Sequence, residues 1–166
     1  MKKLFPVALL LLTSIFSEAQ KCVIIKSFAY QQETSPGMQM ENVEEPKAIL
    51  SYFIYLEILK WNDIDVKYIW VGKKCSKPST IAISKLPVVM YNNAGITNND
   101  ASELLVPKTK NKVLQIMQGD DWDDKKLTTG RNLAAKNAFV IAYIYKGIWY
   151  YYTGKKIKEL EKQIAM

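Results

Sequence analysis

The chain contains no histidine, and that absence narrows its chemistry first. Ser-His-Asp and Cys-His nucleophiles are excluded, as is every His-ligated metal site. The side chain best suited to proton transfer near neutral pH is missing with them. Cys22 and Cys75 stand too far apart in sequence for the paired spacing of a zinc or iron–sulfur site. Gly95, Gly119 and Gly130 are isolated, so no glycine-rich loop is present to cradle a phosphate. A carboxylate pair or a Lys-activated serine would have to carry any catalysis, and no spacing marks one. The residue types therefore point to a non-enzymatic protein with no catalytic residues, no cofactor and no bound metal.

Three groupings remain as candidates. Asp120-Asp121-Trp122-Asp123-Asp124 offers hard oxygen ligands of the kind that bind Ca²⁺. Its spacing departs from Asp-x-Asp-x-Asp-Gly, and Lys125-Lys126 follow directly, so a solvated loop is the expectation. Cys22 and Cys75 form an even pair, which in an oxidising compartment reads as one disulfide. It would close a loop of about fifty residues and contribute roughly 4 kcal/mol in the chain-entropy model. Two separate thiols are the alternative. A third option, a lipid-anchored Cys22, is disfavoured by Lys21 in the place of a small residue. The third grouping is aromatic. Tyr143, Tyr145, Tyr150 and Tyr152 would share one face of a hairpin and present a candidate ligand face, with Lys146, Lys155 and Lys156 nearby. The competing expectation is that the same stripe is packed as core.

The elements that would position these groups are mostly strands. Cys22–Tyr30 is β-branched and aromatic, and Thr34-Ser35-Pro36-Gly37 supplies a turn before a loop over 38–47. Residues 49–61 are apolar on every side. A helix starting at Pro46 is one option, but Tyr52, Phe53, Ile54, Tyr55 and Ile58 favour a strand. Ile64, Val66, Tyr68 and Trp70 alternate with Asp65 and Lys67, and Asn62-Asp63 suits a tight turn. The two segments thus predict a hairpin with Trp61 facing Ile64, Leu59 facing Val66, Tyr55 facing Trp70 and Lys60 opposite Asp65. Further strands are expected over 80–84, 86–91 (an edge strand, given Pro87) and 112–118, with loops over 92–100 and 119–132. Ala138–Tyr145 and Ile148–Gly154 flank Lys146-Gly147 and predict a second hairpin, pairing Tyr145 with Ile148, Tyr143 with Tyr150 and Ile141 with Tyr152, with a one-residue slip as the alternative because Lys is not the best first residue of such a turn. Ile157, Leu160 and Ile164 have helical spacing, so the C-terminus reads as a short helix or an extended tail. The sum is an all-β, mainly antiparallel fold: a small β-sandwich, with an immunoglobulin-like arrangement as one form of it.

The first nineteen residues read differently. Lys2-Lys3, an apolar run over Pro6–Phe16 and the small residues of Ser17-Glu18-Ala19 have the layout of a secretory signal peptide, and the run is too short to span a bilayer. The Ser-Glu-Ala-Gln-Lys junction resembles those of exported bacterial proteins, which implies a compartment and no activity. The expected organisation is a leader over 1–19 and one β-rich domain over 20–166, working in the periplasm or outside the cell, with no transmembrane span. The leader takes two lysines and one glutamate with it, bringing the formal charge from +7 to +6. The lysines are scattered rather than clustered, which argues against nucleic acid. The expected role is a binding or accessory module of the bacterial cell envelope, with an envelope protein or a glycan as partner. A glycan- or peptidoglycan-binding domain using an aromatic sheet face is the alternative, and an enzyme of unrecognised type is a third, less favoured reading.

Overall fold

The computed structural model describes residues 23–35, 48–91 and 102–164. The leader, Cys22 and the loops expected over 38–47 and 92–100 lie outside them. The first sheet is built on β1 (Ile24–Ser35), β2 (Ile49–Ile58), β5 (Ser79–Ala82) and β8 (Lys112–Met117), side by side in the order β1-β2-β8-β5 and all antiparallel. The second runs β10 (Ile148–Gly154), β9 (Phe139–Tyr145), β3 (Asp65–Val71), β4 (Lys74–Ser76), also antiparallel. They pack face to face as a β-sandwich. Ile54, Leu56 and Ile58 of β2 and Leu114 and Ile116 of β8 meet Ile69 and Val71 of β3 and Phe139, Ile141 and Tyr143 of β9.

Each sheet is also covered on its outer face. The hairpin of β6 (Val88–Tyr91) and β7 (Ser102–Val106) lies on the first sheet, where Leu105 and Val106 pack against Tyr30, Tyr55 and Val113. The Tyr30 hydroxyl donates to the Leu105 carbonyl at 2.6 Å. A short helix, α1 (Thr128–Ala134), lies on the second sheet, where Ala134 packs with Trp70, Val140 and Ala142. Gly130 permits this approach, since a Cβ there would stand 2.3 Å from the Trp70 ring. The double cover explains why residues 49–58 are apolar on every side. They form a strand, with Ile54 and Leu56 facing the inter-sheet core and Phe53 and Tyr55 facing the β6–β7 layer.

Three expectations are corrected. β2 and β3 do not form a hairpin: β2 pairs with β1 and β8, while β3 pairs with β4 and β9. The turn after Ile58 carries the chain from one sheet to the other. A corner of this kind needs the same inward alternation as a hairpin, so the pattern fits both. The alternation in β3 is also interrupted. Val66 opposes Tyr143 and Tyr68 opposes Ala142, leaving Lys67 as the extra residue of a bulge. Ile64 and Val66 therefore face the inter-sheet core, whereas Tyr68 and Trp70 face outward. The C-terminal tail takes the second of its two expected forms, an extension rather than a helix. β11 (Lys158–Glu159) and β12 (Gln163–Ile164) pair parallel with the free edge of β1, and the Leu160 amide donates to the Gln31 carbonyl at 2.8 Å. Edge carbonyls and amides that need partners win over the helical spacing of Ile157 and Leu160. The helix α1 was expected as loop; its Thr128-Thr129-Gly130 start is a poor helix former, and packing on Trp70 decides the conformation.

Two predictions follow from this packing. A Cβ on Gly154 would stand 1.9 Å from the Phe139 ring, which is buried in the core. Gly154→Ala is expected to destabilise by about 1–3 kcal/mol through overpacking, read as a lower urea midpoint at unchanged slope. Glu57 accepts hydrogen bonds from Asn111 Nδ2 at 2.7 Å and Thr109 Oγ1 at 2.6 Å, which lower its pKa from the ordinary 4.5. A depressed carboxylate stabilises the fold above its unfolded pKa, and that stabilisation is lost as pH falls through the native value. Acid titration monitored by circular dichroism should show a smaller stability loss below about pH 4.5 in Glu57→Gln than in the wild type.

Candidate aromatic binding surface

Lys146 and Gly147 both adopt positive φ, 50° and 78°, the geometry of a two-residue turn whose twist matches the flanking strands. The β9–β10 register is the expected one: Tyr145 opposes Ile148, Tyr143 opposes Tyr150 and Ile141 opposes Tyr152. The tyrosines do share a face, but it is the face turned toward the first sheet. Tyr143 is buried and stacks on Tyr150 at 5.6 Å. The Tyr145 hydroxyl donates to Asn62 Oδ1 at 3.0 Å, and the Tyr152 hydroxyl donates to Ser27 Oγ at 2.9 Å. Tyr143, Tyr145, Tyr150 and Tyr152 thus wall the sandwich interior instead of presenting a ligand face. The reason is parity: Phe139 and Ile141 occupy the same face, and the first sheet covers it.

The exposed aromatics lie on the other side of the same hairpin. Trp149 is 47% exposed and Trp122 is 43% exposed. Tyr68 lies between them, nearly parallel to Trp149 at 12° and 6.3 Å, and tilted against Trp122 at 6.2 Å. Trp70 supports Tyr68 from below at 6.1 Å. Lys77 Nζ sits over the Trp122 ring at 3.4 Å and ends the strip with a positive charge. The three rings come from β10, β3 and the segment after β8, so no local sequence window contains them. The bulge at Lys67 turns Tyr68 outward, which the uninterrupted alternation concealed.

Trp122 owes its position to the acidic stretch. The Lys77 amide donates to the Asp120 carbonyl at 3.3 Å and the Trp122 amide to the Cys75 carbonyl at 2.8 Å, stitching residues 120–122 to β4. Gly119 allows this, because a Cβ there would meet the Lys77 carbonyl oxygen at 2.0 Å. Asp124 accepts from Trp70 Nε1 at 2.9 Å, and Asp123 accepts from the Lys125 amide at 3.1 Å. These two carboxylates are used separately to shape the loop. Among the described residues no group of three or more His, Cys, Asp or Glu side chains converges on one point.

Cys75 is a free thiol, and Cys22, with which a bridge is expected, lies outside the described residues. Cys75 packs with Trp70, Val140 and Ala134 of α1 on the outer side of the second sheet. Burial, with Asp124 nearby, pushes the Cys75 thiol up to about 11. Among the described residues no helix is long and apolar enough to cross a membrane. No protein-family model, curated protein or solved structure matches this chain.

A Cys22→Ser variant isolates Cys75 for a reactivity test. Its remaining thiol should resist Ellman's reagent at pH 8 in the folded state and react on unfolding in guanidinium, since a buried neutral thiol is a poor nucleophile. Rapid native reaction would place Cys75 at the surface.

Proposed function

We propose that this chain is a non-enzymatic binding module of the bacterial cell envelope, working outside the cytoplasm, and that the Trp122–Tyr68–Trp149 strip is the surface with which it holds a glycan. The observation that carries this reading is the pair of half-exposed indoles flanking Tyr68 on a rigid sheet. Aromatic rings fixed by strand packing offer large amphipathic contact area at little cost in side-chain entropy. Sugars suit them because they combine apolar C–H patches with hydroxyls that remain hydrated. Lys77 adds a preference for acidic or phosphorylated saccharides. The absence of histidine supports a binding role over catalysis, and the basic start and apolar run of residues 2–16 support export.

One observation favours a second reading, an envelope protein as partner. β10 is an edge strand, and its sequence Ile-Trp-Tyr-Tyr-Tyr-Thr-Gly has no charge or proline to discourage an added strand.

Cosedimentation with purified peptidoglycan and other insoluble envelope polysaccharides separates the two. On the glycan reading, Trp149→Ala and Trp122→Ala each weaken capture at least tenfold, with thermal stability changed by no more than about 0.5 kcal/mol. Capture that ignores both substitutions, or that salt alone abolishes, refutes the strip as a glycan surface.

A further inference from the structure

β4 has two faces, and the one opposite Cys75 and Lys77 opens into a cleft of about 330 Å³. The cleft lies at the end of the inter-sheet layer, between the start of β2 and the stitched segment after β8. Leu50, Tyr52 and Val71 form an apolar wall, and Lys74, Ser76 and Asp121 contribute polar groups. Ser76 is 95% buried by its 5% exposure, yet its hydroxyl has no hydrogen-bond partner. A buried hydroxyl left unpaired costs about 1–3 kcal/mol, a cost that a partner entering from the cleft Ser76 lines would recover. A single water needs only about 10–15 Å³ of such space, so the cleft accepts something much larger.

The charges at the mouth indicate what. Lys74 and Asp121 are exposed, and neither takes part in an ion pair among the described residues. An ammonium and a carboxylate beside one buried hydroxyl and an apolar wall match a molecule carrying both charges and a hydrocarbon side chain. We infer that the cleft between β2 and β4 is a binding site for a free amino-acid zwitterion: its carboxylate toward Lys74, its ammonium toward Asp121, Ser76 Oγ bonded to the headgroup, and an apolar side chain against Leu50, Tyr52 and Val71. The site is independent of the aromatic strip, which lies on the opposite face of the second sheet.

L-Leucine is the probe, titrated into the full chain by calorimetry and by amide chemical-shift mapping, with leucinamide and N-acetylleucine as single-charge controls. The expected result is saturable binding of leucine with shifts at residues 74–76 and 118–121, and weaker binding of both controls. Ser76→Ala should weaken leucine about two- to tenfold while the melting temperature holds or rises, because the unpaired hydroxyl is gone. Asp121→Asn should weaken leucine and leave N-acetylleucine unchanged, and Trp149→Ala should leave leucine binding intact. No saturable leucine signal would overturn the site. So would binding that Ser76→Ala leaves unchanged, or leucinamide and N-acetylleucine binding as tightly as leucine.

Discussion

Phe139, Val140, Ile141, Ala142 and Tyr143 are all buried, and neighbours on a strand point to opposite faces. The second sheet must therefore be covered twice. The first sheet covers one side and α1 the other, and the same constraint on Leu56, Tyr55 and Val113 brings the β6–β7 hairpin over the first sheet. A two-layer sandwich leaves each sheet one face for solvent. Here only parts of those outer faces remain open, and the Trp122–Tyr68–Trp149 strip occupies what α1 leaves uncovered.

Trp70 joins that cover to the aromatic strip. Its ring fills the space under α1, where Gly130 touches it, and its indole N–H holds Asp124. Its upper side supports Tyr68. Core packing, the course of the acidic stretch and the aromatic strip thus meet at one side chain. Rigid scaffolding of this kind keeps exposed rings in place before a ligand arrives, which lowers the ordering cost of binding. The cleft at Ser76 depends on the same stitching, since Lys74 and Ser76 of β4 line it together with Gly119 and Asp121 of the segment that holds Trp122.

Much of this was legible in the residues. Lys146-Gly147 between two aromatic runs marked the terminal hairpin, while Lys in the first turn position left a one-residue slip open that the observed register closes. The all-β sandwich followed from short β-branched segments and polar turns. What sequence periodicity could not distinguish was which neighbour a strand chooses. Ile54, Leu56 and Ile58 need an apolar layer in front of them, and a hairpin partner or a facing sheet satisfies that need equally. Nor could it tell which face of β9–β10 would be inward, since both carry aromatics. Phe139 and Ile141 share the parity of Tyr143 and pack with it in the inter-sheet core. Trp122 was hidden among aspartates that read as a solvated loop, and only backbone pairing to Cys75 and Lys77 brings it beside Tyr68.

The bulge at Lys67 bears on how this chain tolerates changes in length. Removing Lys67 would leave Val66 inward, Tyr68 outward and Ile69 inward, a plain alternation with every side chain still on its own face. Removing any one residue from Tyr68 to Val71 would exchange interior and surface on one side of the gap. Position 67 is therefore the place in this strand where a relative could lose a residue without turning its sheet inside out.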